Sequence, residues 1–134
     1  MANKQTIGIL LVLSTLMVLL FGTLTAAKTD GYDGYLSDVL CAVNGVSAGG
    51  FNLTASPEKH TVMCMQMPPC ESSGYGVFMK DAQSGKYVFY KFDSQGNELA
   101  KKLLKNTQKA DHMRIVVTGS MGNGMIKVDQ LVEG

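Results

Sequence analysis

The sequence lacks tryptophan and has only three prolines, but it contains 15 glycines, nine methionines and three cysteines. Together with scattered turn signals, this composition favours a small β-rich domain over a helical bundle. No Cys-x-x-Cys redox pair and no haem-attachment motif occurs. Cys70 could serve as a nucleophile, His60 as its base and Asp38 as an orienting acid. However, no nucleophile turn bordered by glycines surrounds these residues. We therefore expect a protein that is not an enzyme.

An excess of positive charge is also missing. The chain has 12 Lys and Arg against 11 Asp and Glu, and no basic block interrupts this balance. Binding to a phosphate backbone depends on a surplus of Lys and Arg that releases counterions. We therefore expect no nucleic-acid partner. The expected partner is a protein or a small ligand, which the sequence does not identify.

The single long apolar run lies at the N-terminus. Lys4 precedes an uncharged run, residues 5–27, which is rich in Leu, Val and Ile and ends in Thr25-Ala26-Ala27. A basic start, an apolar middle and small residues before the cut are typical of a secretory signal peptide. About 20 apolar residues suffice to cross a bilayer, so a retained membrane anchor is the alternative.

We favour cleavage because the densest apolar part of this run, Ile7 to Phe21, is short for a membrane span. The prediction is a signal peptide over residues 1–27 and one mature domain over residues 28–134. The protein would then be secreted, periplasmic or attached to the cell surface. It would contact a membrane only through the signal segment, and only if that segment stayed uncleaved.

The mature chain contains strand-like segments and one helical segment. Five runs have the alternation or the β-branched and aromatic composition of strands: Gly34–Cys41, Gly74–Lys80, Lys86–Phe92, Met113–Gly119 and Met125–Leu131. Gly85 and the pair Asn123-Gly124 suit hairpin turns between the second and third and between the fourth and fifth strands. Asn97–Lys105 is predicted as a helix, capped by Asn97, with leucines 99, 103 and 104 along one face.

The predicted order β-β-β-α-β-β resembles the OB-fold, a five-stranded Greek-key barrel. We therefore predict an all-β domain with one helix, built as an OB-like barrel. A half-barrel or a small α+β sheet with the same order of elements is the competing interpretation.

The mature chain also resembles a loose group of small secreted bacterial proteins. These proteins pair a Gly-x-x-Ser-Asp-x-x-Cys strand with a later His and Cys cluster, and here the motif reads Gly34–Cys41, with the cluster at His60–Cys70. Two further strands contain Gly76-Val77-Phe78 and Val117-Thr118-Gly119. The resemblance implies an OB-like fold and an extracytoplasmic location, and it implies no reaction.

The connection between the first two predicted strands, Ala42 to Ser73, is unusually long. Structureless loops of more than about 12–15 residues are uncommon and tend to be functional or disordered. In OB-folds the first loop borders the ligand face. We expect its first part, Asn44–Gly50, to be flexible and any chemistry to lie in the His-, Met- and Cys-rich stretch His60–Cys70.

The cysteines support two interpretations. Thiols outside the cytoplasm are oxidised, so two of the three should form a disulfide and one should remain. The pairing is open, because Cys64 could pair with Cys70 and Cys41 could pair with either. The disulfide is the favoured interpretation.

The second interpretation is a metal site. Cys41, His60, Cys64 and Cys70 form a Cys3His set that suits tetrahedral zinc, although Cys64 and Cys70 are farther apart in sequence than in most structural zinc sites. Copper(I) would add the soft thioethers of Met65 and Met67. The overall prediction is a secreted binding or structural module of unknown ligand that acts through residues 60–70, and the alternative is an extracytoplasmic protein that binds copper or zinc.

Overall fold

The computed structural model describes residues 29–134, so the predicted signal peptide lies outside the described residues. Within them, five strands form one mixed sheet: β1 (Asp30–Asp38), β2 (Tyr75–Lys80), β3 (Tyr87–Phe92), β4 (Arg114–Gly122) and β5 (Met125–Glu133). The strands pair in the order β1-β2-β3-β5-β4, and β4 pairs back onto β1, so the sheet closes into a ring. Only β3 and β5 run parallel. The five predicted strands are confirmed.

The two predicted hairpins are present. Asn123 and Gly124, with φ of 53° and 73°, form the turn between β4 and β5. Both central residues of a type I′ turn need positive φ, which explains the Asn-Gly pair at this place. Gly85 also has a positive φ, 69°, in the loop between β2 and β3.

Four helices and a short 3-10 turn accompany the strands. They are α1 (Val39–Asn44), the 3-10 turn Pro57–Lys59, α2 (Val62–Met65), α3 (Pro68–Ser73) and α4 (Ser94–Asn106). All except α4 lie in the connection between β1 and β2. None of the helices in residues 29–134 is long and apolar enough to span a membrane.

The predicted helix is confirmed as α4, but it begins three residues earlier than expected. Its N-cap is Asp93, whose carboxylate accepts the Gly96 N–H at 3.0 Å. Asn97, the predicted cap, instead accepts the N–H of Tyr75 at 2.8 Å and so ties the helix to the start of β2. The buried face of α4 consists of Gly96, Ala100 and Leu104, spaced four residues apart.

The buried side chains form two clusters. The main core lies inside the ring of strands and under α4, and its members are Leu36, Val62, Met65, Tyr75, Val77, Phe92, Ala100, Leu104, Met113, Ile115, Val117, Ile126, Val128 and Leu131. The second, which we call the cysteine cluster, contains Cys41, Ala42, Leu53, Cys64, Cys70 and Phe78. All three cysteines therefore pack together outside the main core.

The prediction that the first strand extends to Cys41 is wrong. β1 ends at Asp38, because the Asp38 carboxylate accepts the Cys41 N–H at 2.9 Å and thereby starts α1. α1 ends at Gly45, which adopts the left-handed conformation with φ of 72°. Cys41 is therefore a helical residue.

The long connection is folded rather than structureless. Within its first part, the Ser47 N–H donates to the Phe51 carbonyl at 3.0 Å and the Gly50 N–H donates to the Ser47 carbonyl at 2.9 Å. Leu53, which follows, is fully buried in the cysteine cluster. The segment that we expected to be flexible therefore forms a closed turn anchored by a buried leucine.

Replacing Leu104 with Ala should destabilise the protein by about 2–5 kcal/mol, because this side chain is buried in the main core and its loss leaves a cavity. Leu103→Ala on the same helix is the matched control, since Leu103 is only partly buried against that core. Denaturant unfolding of both variants measures the difference. Equal losses of stability would show that α4 does not seal the core through Leu104.

Candidate metal centre

Each of the three cysteines is the third residue of its own short helix: Cys41 in α1, Cys64 in α2 and Cys70 in α3. Asp38 caps α1, and Thr61 caps α2 by accepting the Cys64 N–H at 3.1 Å. α3 begins with Pro68-Pro69, where the fixed φ of proline suits the first helical turn. Local capping thus fixes where each thiol lies.

His60 also lies near the thiols, although it comes from a different part of the connection between β1 and β2. It follows the 3-10 turn Pro57–Lys59, and its imidazole is fully buried. Its Nδ1 lies 3.0 Å from the hydroxyl oxygen of Ser37. That hydroxyl donates its only hydrogen to the Asp38 carbonyl at 3.1 Å, so its oxygen accepts a hydrogen bond from Nδ1–H. This arrangement goes with the Nδ1–H tautomer of His60, in which Nε2 presents a lone pair.

The Nε2 lone pair points at a carboxylate. His60 Nε2 lies 3.2 Å from Asp38 Oδ2, and both side chains are completely buried. The separation is that of an ion pair, but neither atom has a hydrogen-bond partner within residues 29–134. Burial lowers the pKa of His60, and the opposing effect of Asp38 is the smaller of the two. In the Nδ1–H tautomer of the neutral imidazole the two atoms repel each other, and positive charge placed beside them would remove that repulsion.

The thiols next to this pair hold their protons tightly. Burial raises the pKa of Cys41 far above its ordinary value, and the negative charge of Asp38 raises it further. Burial likewise raises the pKa of Cys70 to about 11, with Asp38 again the next contribution. A buried, protonated thiol is a poor nucleophile.

The donor atoms are close enough to bind metal. The ligand atoms of Cys41, His60 and Cys64 all lie within 4.8 Å of one another, and so do those of Asp38, Cys41 and Cys70. Zinc binds nitrogen and sulfur at about 2.0–2.3 Å, so two ligands of one ion are at most about 4.6 Å apart. In a tetrahedral site the ligand atoms are about 3.3–3.8 Å apart, so each group of three would hold an ion after its members close in around it.

The structure brings together part of the predicted site. Cys41, His60 and Cys64 come together in one group, but Cys70 belongs to another group with Asp38 and Cys41, so the four do not form the single Cys3His set that was predicted. The methionines do not join them: Met65 is a member of the main core, and Met67 is 41% exposed. All three cysteines are free thiols. The predicted disulfide thus stays a prediction, and it would compete with a metal for the same sulfur atoms.

Two residues of the site were missing from the predicted ligand set, Asp38 and Ser37. Asp38 contributes an oxygen beside the thiols, and Ser37 orients the His60 ring. A helix-cap signal could have indicated Asp38, since it precedes Val39-Leu40-Cys41 as Thr61 precedes Val62-Met63-Cys64. The other histidine, His112, is exposed next to Asp111 and lies outside the site.

Comparisons of this chain with protein-family models, with curated proteins and with solved structures find no match. The candidate site therefore has to be interpreted from its own geometry and chemistry.

Proposed function

We propose that this protein is a small metal-binding domain and that zinc is the ion that it holds. The observation that carries the proposal is the unpartnered Nε2 of His60, which faces Asp38 Oδ2 at 3.2 Å, on a buried residue whose ring lies within 4.8 Å of the thiols of Cys41 and Cys64. Metal-binding histidines usually donate their second ring N–H to a neighbouring acceptor, which fixes the tautomer. Ser37 supplies that acceptor here.

The donor set favours zinc over copper(I). Copper(I) binding through thioethers would need Met65 or Met67 beside the thiols, whereas Met65 fills the main core and Met67 is exposed at the surface. Thiolate sulfur and imidazole nitrogen are the usual ligands of structural zinc. Asp38 adds a carboxylate oxygen, which zinc also accepts.

The proposed role of the ion is structural. The ligands come from β1, α1, the residue after the 3-10 turn, α2 and α3, so one site would fasten every part of the connection between β1 and β2. Their burial among Leu53 and Phe78 excludes most solvent, as expected of a closed structural site. The domain would then be a binding or structural module whose long connection is shaped by metal.

We also propose that the closed ring of strands is an OB-like Greek-key barrel. The order β1-β2-β3-β5-β4, the parallel pairing of β3 with β5 and the position of α4 between β3 and β4 support this assignment. Under it, the metal-binding connection is the enlarged first loop of the barrel.

The reduced protein should retain zinc through desalting and should melt at a higher temperature with zinc than with a chelator. A ligand that binds only the folded state stabilises it by about 2.7 kcal/mol at a hundredfold excess over its Kd. His60→Ala should weaken zinc binding in a chelator competition, because it removes the Nε2 ligand. Total zinc per chain and thermal unfolding check both expectations.

His112→Ala is the matched control for this experiment, because His112 is exposed and lies outside the site. It should bind zinc as the unaltered protein does. The proposal fails if the unaltered protein holds no zinc, or if the two histidine variants bind zinc equally well.

Zinc binding near pH 7 should release protons, and zinc affinity should rise with pH. Before binding, Cys41 and Cys70 are protonated because burial raises the pKa of both thiols. His60 should release none, since burial lowers its pKa and keeps the imidazole neutral before zinc binds. Calorimetry in buffers of different ionisation enthalpy counts the protons. Binding without proton release would mean that these two thiols are not ligands.

We propose in addition that the domain works outside the cytoplasm, supported by the basic, apolar and small-residue pattern of residues 1–27. Protein exported from a host cell should begin at Lys28 or within a residue or two of it. N-terminal sequencing and intact mass report the cleavage point. Recovery of the full-length chain embedded in membrane would refute the cleaved signal.

A further inference from the structure

The five donors of the site form two overlapping groups rather than one. Cys41, His60 and Cys64 form the first, which we call the histidine group, and Asp38, Cys41 and Cys70 form the second, the aspartate group. Cys41 is the only residue common to both. Within residues 29–134, no group with ligand atoms inside 4.8 Å contains both Cys64 and Cys70.

This arrangement disfavours one ion held by all three cysteines. Two ligands of one zinc ion are separated by at most about 4.6 Å, even when they lie on opposite sides of it. Cys64 and Cys70 each approach Cys41 but do not join a common group with it. Cys70 would then be left over beside a single ion in the histidine group.

Each group also contains one of the two unpartnered buried atoms of the site. His60 Nε2 belongs to the residue that completes the histidine group, and Asp38 Oδ2 belongs to the residue that completes the aspartate group. The other oxygen of Asp38 is engaged, because it accepts the Cys41 N–H. The two orphaned atoms face each other at 3.2 Å, so positive charge held in either group would lie close to both of them.

Charge balance points in the same direction. With the three cysteines ionised as ligands, the site would contain three thiolates, one carboxylate and a neutral imidazole. One divalent ion in the histidine group would ionise only Cys41 and Cys64, and it would leave the charge of the buried Asp38 carboxylate uncompensated, which is costly. Two divalent ions would neutralise the site.

Building on the proposed function, we infer that the site holds two zinc ions and that the sulfur of Cys41 bridges them. One ion would lie in the histidine group and the other in the aspartate group. A thiolate has several lone pairs and binds two soft or borderline ions readily, and paired metal sites in proteins have ions about 3.5–4 Å apart. On binding, each thiol exchanges its proton for a bond to zinc, and no oxidation occurs.

Zinc titration of the reduced protein should therefore reach two ions per chain, counted by elemental analysis after desalting. Cys70→Ser should reduce the count to one by weakening the aspartate group, and Cys64→Ser should reduce it to one by weakening the histidine group. Cys41→Ser should weaken both. A count of one for the unaltered protein would overturn the bridged pair and leave the proposed function standing, whereas a count of zero would overturn both.

Cadmium, which prefers sulfur more strongly than zinc does, gives a test that does not depend on variants. With a spin-active cadmium isotope, the loaded protein should show two cadmium NMR resonances, each split by coupling to the other through the shared sulfur. Two resonances without mutual splitting would mean two separate ions and would refute the bridge. A single resonance would mean one ion.

Discussion

The site depends on the carboxylate of Asp38. One oxygen accepts the Cys41 N–H at 2.9 Å, which ends β1, starts α1 and sets the place of the central thiol. The other faces His60 Nε2 at 3.2 Å. Asp38 itself is held by the sheet, since it pairs with Tyr75 at the end of β1, and β1 is bonded to β2 on one side and to β4 on the other. The position of Asp38 therefore derives from the closure of the ring of strands. The short helices then place the cysteines around Asp38.

The main core holds the connection between β1 and β2 in place without containing the candidate ligands. In α2, neighbouring residues face different clusters: Met65 fills the main core, and Cys64 joins the cysteine cluster. The Tyr75 hydroxyl donates to the Met65 carbonyl at 2.9 Å and fastens this helix to the start of β2. Met65 was predicted as a possible copper ligand, but it is an apolar anchor that positions the adjacent thiol. The flexible, unbranched side chain of methionine suits such gap filling.

The fold could be predicted further than the site. Strands and hairpins follow from patterns within a few residues, such as the alternation in β5 or the positive φ that Asn123-Gly124 tolerates, and these predictions are confirmed. The end of β1 was mistaken because Val39-Leu40-Cys41 suits a strand as well as a helix, and only the Asp38 cap decides between them. The contact between Asp38 and His60, and the orientation of His60 by Ser37, join residues more than twenty positions apart. The cap pattern before Val39 indicates Asp38 as a helix cap but not as a ligand, so the cysteines and His60 could be named as donors, whereas the parts that Asp38 and Ser37 play at the site follow only from the three-dimensional structure.

Burial of the thiols bears on the competition between metal and disulfide at Cys41. Either outcome uses this sulfur, because Cys41 shares a group with Cys64 and another with Cys70, whereas Cys64 and Cys70 share none. A disulfide forms when a thiolate attacks, so its rate depends on the fraction of thiol that is ionised and on access to the oxidant. Burial raises the pKa of Cys41 and Cys70 and limits that access, which slows oxidation of the folded, metal-free protein. Zinc needs no oxidant and draws the proton off as it binds. Under the proposed function, a folded domain that meets zinc before its thiols meet a disulfide exchange partner would be held in the metal-bound form. The order of folding and oxidation would then decide which cross-link the connection between β1 and β2 receives.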